Sequence, residues 1–421
     1  MSDYPGKETF KLGFGLMRLP KNPDGTIDIP QVCEMTDRFI AAGGTYFDTA
    51  YVYDDGRSEE AFRLAVADRY PREAYTVCTK LNAWMQCHDE ESAKQQFWTS
   101  LERTGAKYFD YYLLHAIQRN NLHFYDDYHI WDFVRGLKEQ GLVRHWGFSF
   151  HADPDLLEEL LTKHPEVDFV QLQINYADWE NPGVASRRNW EICKAHGKPV
   201  TVMESVKGGI LADPIPSVKA IFDATGSKLS YAGWAVRFVA SLDNIITALS
   251  GMSSLAQMED NLSYMKDFQP LTAEERAVIE KARMTLDADQ SIPCTGCRYC
   301  TEGCPMGIPI PDIFTVANRR KGSPHFRTVR EYNIVTQDKG QGRGLHSMRP
   351  VRGRVPPAPA DHQPAGEVQG DGGVIPPLFT QRQNPVAQCG GVLTCMQRIM
   401  PRAPFSGGGW PRGCSATGRR C

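Results

Sequence analysis

Long apolar runs are missing from this 421-residue chain, and no stretch approaches the roughly 18 uninterrupted apolar residues of a membrane-spanning helix. The N-terminal MSDYPGKETFK carries charges where a secretory signal needs its apolar core, so no leader is expected. Both absences point to a soluble, cytoplasmic protein with no membrane partner. Net charge is small as well, −3, but it is unevenly spread. Residues 336–421 hold 11 Lys+Arg against 4 Asp+Glu, a net +7, which leaves −10 on the remainder. That split sets the last stretch apart before any motif is considered. In a chain without an export signal, twelve cysteines read as metal ligands or isolated thiols rather than disulfides. Cys33, Cys78, Cys87 and Cys193 stand singly, as small buried hydrophobes do.

What is present, from residue 12 to about 285, is an alternation of short apolar runs with longer segments of helical period. The runs are LGFG (12–15), TYFD (45–48), YTVCTK (75–80), YYLLH (111–115), HWGFS (145–149), FVQLQ (169–173), VTVME (200–204) and IITALS (245–250). SEEAFRLAVADRY (58–70) and YDDYHIWDFVRGLKEQG (125–141) read as helices packed on a sheet. Eight βα repeats predict a (β/α)8 TIM barrel over residues 1–285. A small C-terminal segment follows over 286–340, where GIPIPDIF fits a turn and short helix and Asn333 is near the last globular residue. After residue 340 Gly, Pro and Arg dominate without periodicity, which predicts a disordered tail over 341–421.

In such a barrel catalytic groups sit at the C-terminal ends of the strands. Asp48, Lys80, His115, Ser149 and Gln171 occur there, with Gln173 on the face of Gln171 and Tyr53 five residues beyond Asp48. Each alone is weak evidence, but together they suit proton transfer. A tyrosine phenol ordinarily titrates near 10. A lysine ammonium beside it favours the phenolate, and a carboxylate holds the lysine in place. Asp48, Lys80 and Tyr53 supply that relay, and His115 can donate a hydrogen bond to a substrate oxygen. Trp84 and Trp179, on loops beyond strands, suit either a substrate wall or ordinary packing.

The ordered set GGTYFDTAYVYDDGRSEEAF, VCTK, YYLLH, GFS and VQLQ resembles the aldo-keto reductase family over roughly residues 10 to 270. The resemblance places its catalytic Asp, Tyr, Lys and His on Asp48, Tyr53, Lys80 and His115. It implies NAD(P)H lying extended across the barrel mouth without a Gly-rich fingerprint. Ser149 and Gln171 would hold the nicotinamide carboxamide, and Gly208, Gly209, Ser253, Gln257 and Asn261 would follow the phosphates and adenosine. Two departures stand out. Glu204 occupies the place where relatives stack an aromatic on the nicotinamide, and Gly251 and Gln257 stand where NADPH users carry Lys and Arg. The cofactor is therefore NADH or NADPH on this reading, and the substrate a small carbonyl compound or alcohol.

One motif belongs to other chemistry. CTGCRYCTEGCPMG (294–307) sets Cys294, Cys297, Cys300 and Cys304 in the C-x2-C-x2-C-x3-C-P spacing of a ferredoxin-type [4Fe-4S] site. Zinc is the bland alternative, but zinc sites more often present two separated cysteine pairs. With SIPCTGCRYCTEGCPMGIPIPDIF and YNIVTQDKG the chain resembles the aldo-keto reductase branch that carries a C-terminal ferredoxin-like segment, whose members have a second cysteine run just afterwards. None follows here. Read one base out of frame, however, the codons of Leu345, Met348, Val351 and Val355, followed by His346, Arg349, Arg352 and Pro356, can each spell cysteine. Their spacing is again three, three, four, with a proline after it and a stop near Val374 and Ile375. A one-base shift near Gly340 or Gln341 explains the tail, and Cys389, Cys395, Cys414 and Cys421 then have no function. Two clusters are expected if the frame is restored. As written, either Cys294, Cys297 and Cys300 share one cluster with a lost cysteine while Cys304 serves the other, or all four bind a single strained cluster. A genuine basic tail binding nucleic acid is disfavoured, because it lacks aromatic interleaving and any fold signal.

Two functions follow. The first is hydride transfer between a nicotinamide and a carbonyl or alcohol, with clusters that are structural or redox-sensing. The second is an iron–sulfur electron-transfer protein working with a redox partner protein, its barrel serving nucleotide sensing or docking. Nicotinamides pass electrons in pairs and clusters singly, and no flavin motif bridges the two. The full set of proton-transfer residues favours the first.

Overall fold

The computed structural model describes residues 6–288, 301, 307–320 and 325–337. The chain divides into one unit of residues 1–290 with 322–324 and a second of 291–321 with 325–421. In the first, eight parallel strands close a barrel in sequence order: β1 Leu12–Gly15, β2 Tyr46–Asp48, β3 Thr76–Leu81, β4 Phe109–Ile117, β5 Val143–Phe150, β6 Phe169–Gln173, β7 Val200–Met203 and β8 Ile245–Ser250. The last pairs back onto the first, Leu12 opposite Ala248 and Phe14 opposite Ser250. In the second unit the helices Ile310–Arg320 and His325–Thr336 pack on each other.

Around the strands run α1 Ile29–Ala41, α2 Arg57–Phe62, α3 Glu90–Thr104, α4 Leu122–Asp127, α5 Ile130–Glu139, α6 Pro154–Lys163, α7 Ser186–Ala195, α8 Pro216–Asp223, α9 Tyr231–Ala240, α10 Leu255–Met265 and α11 Ala273–Ala288. Several begin as their sequences dictate. Asp28, Asp89, Asp153, Ser230 and Ser254 each accept a first-turn N–H, and Pro30 and Pro154 sit where the missing donor costs nothing.

Two long helices expected from periodicity are broken. The 58–70 segment becomes α2 followed by a wider turn over Arg63–Ala67, where Asp68 N–H reaches back to the Arg63 carbonyl. The 125–141 segment splits at His129, which adopts φ 50°. In both, the apolar period continues across the break, so pattern alone does not register it.

Each strand turns alternate residues inward. Along those inward stripes apolar side chains come first and polar ones last: Tyr46 then Asp48, Cys78 then Lys80, Leu113 then His115, Phe169 then Gln171. Tyr46, Cys78, Tyr111, Leu113, Phe169, Ile246 and Leu249 form a dry plug below the mouth. Outward residues such as Phe47, Val77, Tyr112, Leu114, Trp146, Val170 and Val202 join the larger layer under the helices. The plug is tight enough to demand glycine at 147, where a Cβ would fall 1.8 Å from the Phe169 carbonyl oxygen. Burying each large apolar side chain stabilises the barrel by roughly 1.5–3 kcal/mol.

Candidate active site

Because the polar ends of the inward stripes of β2, β3, β4 and β6 arrive at the same rim, residues far apart in sequence meet there. Lys80 is fully buried, and its Nζ donates to Asp48 Oδ1 at 2.6 Å and to the Thr49 carbonyl at 2.6 Å. The other oxygen of Asp48 accepts from Gln171 Nε2 at 3.0 Å, so one carboxylate joins β2, β3 and β6. Burial works most strongly against the Lys80 charge, but Asp48, with Tyr53 and Cys78, together outweigh it, and the ammonium is held more firmly than in water.

Tyr53 opens a tight turn in which Asp54, Asp55 and Gly56 all take left-handed backbone, φ 51°, 56° and 88°. Lys21 and Arg57 both pair with Asp54 and clamp this turn. The turn sets the Tyr53 ring 4.9 Å from Lys80 Nζ, centroid to nitrogen, and edge-on to His115 at 5.7 Å between centroids. Burial raises the phenol pKa, and the Lys80 charge and hydrogen bond pull against it. From the sequence, a lysine beside the phenol is expected to lower it below its ordinary value. Its influence has that sign, but desolvation wins, and Tyr53 is a protonated acid at neutral pH.

His115 stands at a slip in the β4–β5 register between Leu114 and Ile117, with Ala116 at φ 56°. Such irregularities re-aim a side chain at the end of a strand. Tyr125 OH donates to the His115 carbonyl and fixes the backbone. The imidazole Nδ1 is buried with no hydrogen-bond partner. Burial first, then the charges of Lys80 and His151, hold its pKa well below the usual histidine range. The ring is therefore neutral and able to donate.

The further expected residues lie on β5 and on the segments beyond β7 and β8, with different degrees of engagement. Ser149 Oγ accepts the Ala116 N–H at 2.7 Å. Gly208 and Gly209, φ 63° and 97°, form a turn beyond β7, with no atom within 4 Å of where a Gly209 Cβ would lie. Ser253 N–H donates to Gln257 Oε1 at 2.6 Å. Asn261 is buried, its amide donating to Ser250 Oγ at 2.7 Å and its oxygen accepting from Tyr264 OH. Glu204 takes φ 61°, and its carbonyl accepts from Asn175 Nδ2 at 3.2 Å. Trp179 packs at a tilt against Trp190 and edge-on to Phe238 in the outer layer, whereas Trp84 is 37% exposed on the loop after β3. The thiols of Cys33, Cys78, Cys87 and Cys193 are unbridged. Cys294, Cys297, Cys300 and Cys304 lie outside the described residues, as do the tail and its four cysteines. Among the described residues no group of His, Cys, Asp and Glu is arranged to hold a metal. No described helix is long and apolar enough to cross a membrane.

Sequence reasoning missed a second buried pair at the rim. Lys207 pairs with Asp178, whose side chain is fully buried and also accepts from Gln173 Nε2 at 3.1 Å and Asn175 Nδ2 at 2.8 Å. Nothing in NYAD or VKGG alone signals partners 29 residues apart.

Comparison with known proteins agrees with this architecture. A family model described as the aldo/keto reductase family matches residues 11–283. The chain belongs to the aldo/keto reductase family. It is 24% identical over 290 residues to an uncharacterized oxidoreductase of Bacillus subtilis, covering 63% of this chain and 90% of the relative. An aldo-keto reductase of Mycolicibacterium vanbaalenii is 29% identical over 248 residues, covering 57% and 79%. Among solved structures, an aldo-keto reductase of Bacillus halodurans in its holo form superposes with a TM-score of 0.52 at 24% identity, over 65% of this chain and 91% of that one. An aldo/keto reductase of Klebsiella pneumoniae in complex with NADP and acetate gives 0.52 at 21% identity, over 64% and 90%. The protein is an oxidoreductase of the aldo-keto reductase type.

Proposed function

We propose that the enzyme is an NADP(H)-dependent carbonyl reductase, running also as an alcohol dehydrogenase, with Tyr53, Asp48, Lys80 and His115 as its proton-transfer machinery. The observation that carries this reading is Lys80, fully buried, bonded to Asp48 and facing the Tyr53 ring. A nicotinamide bound at the rim would supply the hydride to the carbonyl carbon, and the NADP in the Klebsiella structure supports that choice of cofactor. The donor set suits its carboxamide. Ser149, accepting from Ala116, keeps its hydroxyl proton to donate, and Gln171, donating to Asp48, keeps its oxygen to accept. The Gly208–Gly209 turn leaves backbone open to a phosphate.

Tyr53 gives its proton to the carbonyl oxygen as the carbon takes the hydride, and recovers one through solvent. Lys80 offsets the phenolate that forms, and Asp48 keeps Lys80 in place. Neutral His115 donates to the same oxygen and orients it. In alcohol oxidation the steps reverse. Replacing Tyr53→Phe removes only the proton donor, so kcat for carbonyl reduction should fall by about 10²–10⁴-fold while NADPH binding, read by fluorescence, is unchanged. Undiminished turnover would remove Tyr53 from the mechanism.

We infer further that residues 286–340 form a ferredoxin-type segment, with Cys294, Cys297, Cys300 and Cys304 as cluster ligands and 341–421 a frame-shifted tail. The cysteine spacing supports this. Reduction at the tetrad is a two-electron step and draws no single electron from a cluster, so a redox partner would act at the cluster segment, in the cytoplasm. Iron and acid-labile sulfide analysis of the purified protein, with a nucleotide read across codons 333–375, tests both parts. Absence of iron after anaerobic purification removes the cluster, and an unshifted frame removes the second run.

A further inference from the structure

We propose that Glu59 and Arg103 are positioning residues for Tyr53, an ion pair beneath the turn that carries the phenol, an inference that rests on the proton-transfer roles proposed above. The turn needs such support. Asp54 and Asp55 hold left-handed backbone although neither is glycine, at φ 51° and 56°. Backbone of that kind persists only where surrounding contacts impose it. Lys21 and Arg57 grip Asp54 from outside, but both cations are more than a third exposed, and solvent screens what they contribute.

The firmer support comes from below. Glu59, in the first turn of α2, is fully buried and has no part in the proton transfer. Its Oε1 accepts from Thr79 Oγ1 at 2.6 Å, one residue before Lys80, and its Oε2 stands 3.6 Å from Arg103 Nη1. Burial raises the Glu59 pKa, and the hydroxyls of Thr79 and Ser100 and the charge of Arg103 oppose it. From α3, Arg103 donates to the Tyr51 carbonyl at 3.2 Å and lies 4.5 Å from the centre of the Tyr51 ring. Its guanidinium also lies against Gly56, where a Cβ would fall 2.5 Å from Cζ. Arg103 therefore holds the backbone on both sides of Tyr53, and Glu59 holds Arg103. The preceding Ser58 donates to the Leu16 carbonyl at 3.0 Å and sits 2.8 Å from the hydroxyl of Thr49, whose carbonyl receives Lys80 Nζ. Adjacent residues of α2 thus tie the phenol and the ammonium to one frame, which fixes their separation.

The test uses the purified full chain with NADPH and para-nitrobenzaldehyde, an activated carbonyl probe. Glu59→Gln keeps the shape but removes the charge that holds Arg103. Its kcat should fall by about 10- to 100-fold, with the Kd of NADPH within about threefold of wild type, which also shows the variant folded. Arg103→Met should lose as much, and Arg103→Lys, which keeps the cation, should recover part of it. The loss runs through Tyr53, so in a Tyr53→Phe background Glu59→Gln should lower kcat by less than about twofold more. Arg72→Met controls for plain destabilisation: it takes a buried arginine from Asp110 at the starting ends of β3 and β4, so Tm should fall and kcat stay. A second measurement needs no substrate, since the ultraviolet difference between chains with and without Tyr53 titrates that phenol alone. Burial holds it above its ordinary value, and Glu59→Gln should let the midpoint fall toward about 10. An unchanged kcat or midpoint in Glu59→Gln, a loss that multiplies with that of Tyr53→Phe, or an equal kcat loss in Arg72→Met would each overturn the positioning role. Probe turnover absent from wild type, or undiminished in Tyr53→Phe, would instead overturn the proposed function, and the phenol titration would still judge the pair.

Discussion

The barrel mouth holds two buried lysine–aspartate pairs of similar chemistry and different surroundings. Asp48–Lys80 lies between β2 and β3, with side-chain exposures of 5% and 0%; Asp178–Lys207 lies beyond β6 and β7, with 0% and 15%. In the first, the lysine faces a tyrosine that can release a proton, and the aspartate leans on Gln171. In the second, the aspartate is saturated by two amides, Gln173 and Asn175, and the lysine immediately precedes the left-handed Gly208–Gly209 turn. Burial of a charge pair therefore does not by itself mark catalysis. The difference lies in the third group, which is titratable beside Lys80 and only polar beside Lys207.

Removing each lysine should separate the two roles. Lys80→Met strands a buried Asp48 and takes the charge from Tyr53, so stability should drop by about 3–5 kcal/mol in urea unfolding and kcat by about 100-fold or more. Lys207→Met strands Asp178 at a similar cost of about 3–5 kcal/mol, but kcat at saturating cofactor should stay within tenfold of wild type. Equal kcat losses in the two variants would erase the distinction.

The pH profile sharpens the comparison on the Lys80 side. Tyr53 is raised above its ordinary value of about 10, and the reducing direction needs its protonated form, so turnover should stay level from pH 6 to 9 and fall only above about pH 10. His115, held neutral, contributes a stability difference of the opposite sense. Its folded pKa lies below the unfolded value near 6.5, so the contribution is complete above that pH and is lost as pH falls through 6.5 toward the folded value. His115→Asn should flatten that part of the stability curve, measured as Tm from pH 7 to pH 5. The smallest effect belongs to an exposed pair, Arg119–Asp153, where Arg119→Met should leave Tm unchanged because solvent already screens the charges.

All eight strands were legible in the sequence, because an apolar run bounded by turns is a local signal that parallel burial reinforces. The meeting of Asp48, Lys80 and His115 was legible for the same reason, each sitting at or near the end of such a run, whereas Tyr53 lies in the turn beyond β2 and reaches them only through that turn. The two broken helices were not, since His129 and the wide turn at Arg63–Ala67 leave the apolar period intact. The balance at Tyr53 was misjudged because desolvation depends on everything packed around the phenol, which no spacing reports.

The sequence by itself thus determined the strand count, the parallel order and the residues that reach the rim. These follow from periodicity, which each short stretch carries on its own. Only the tertiary structure decided that Asp48 is shared by Lys80 and Gln171, that Asp178 meets Lys207, and that Arg18 lies against Gly251 across the β1–β8 seam. Those contacts join residues from 29 to 233 positions apart, and closing the barrel brings them within bonding reach.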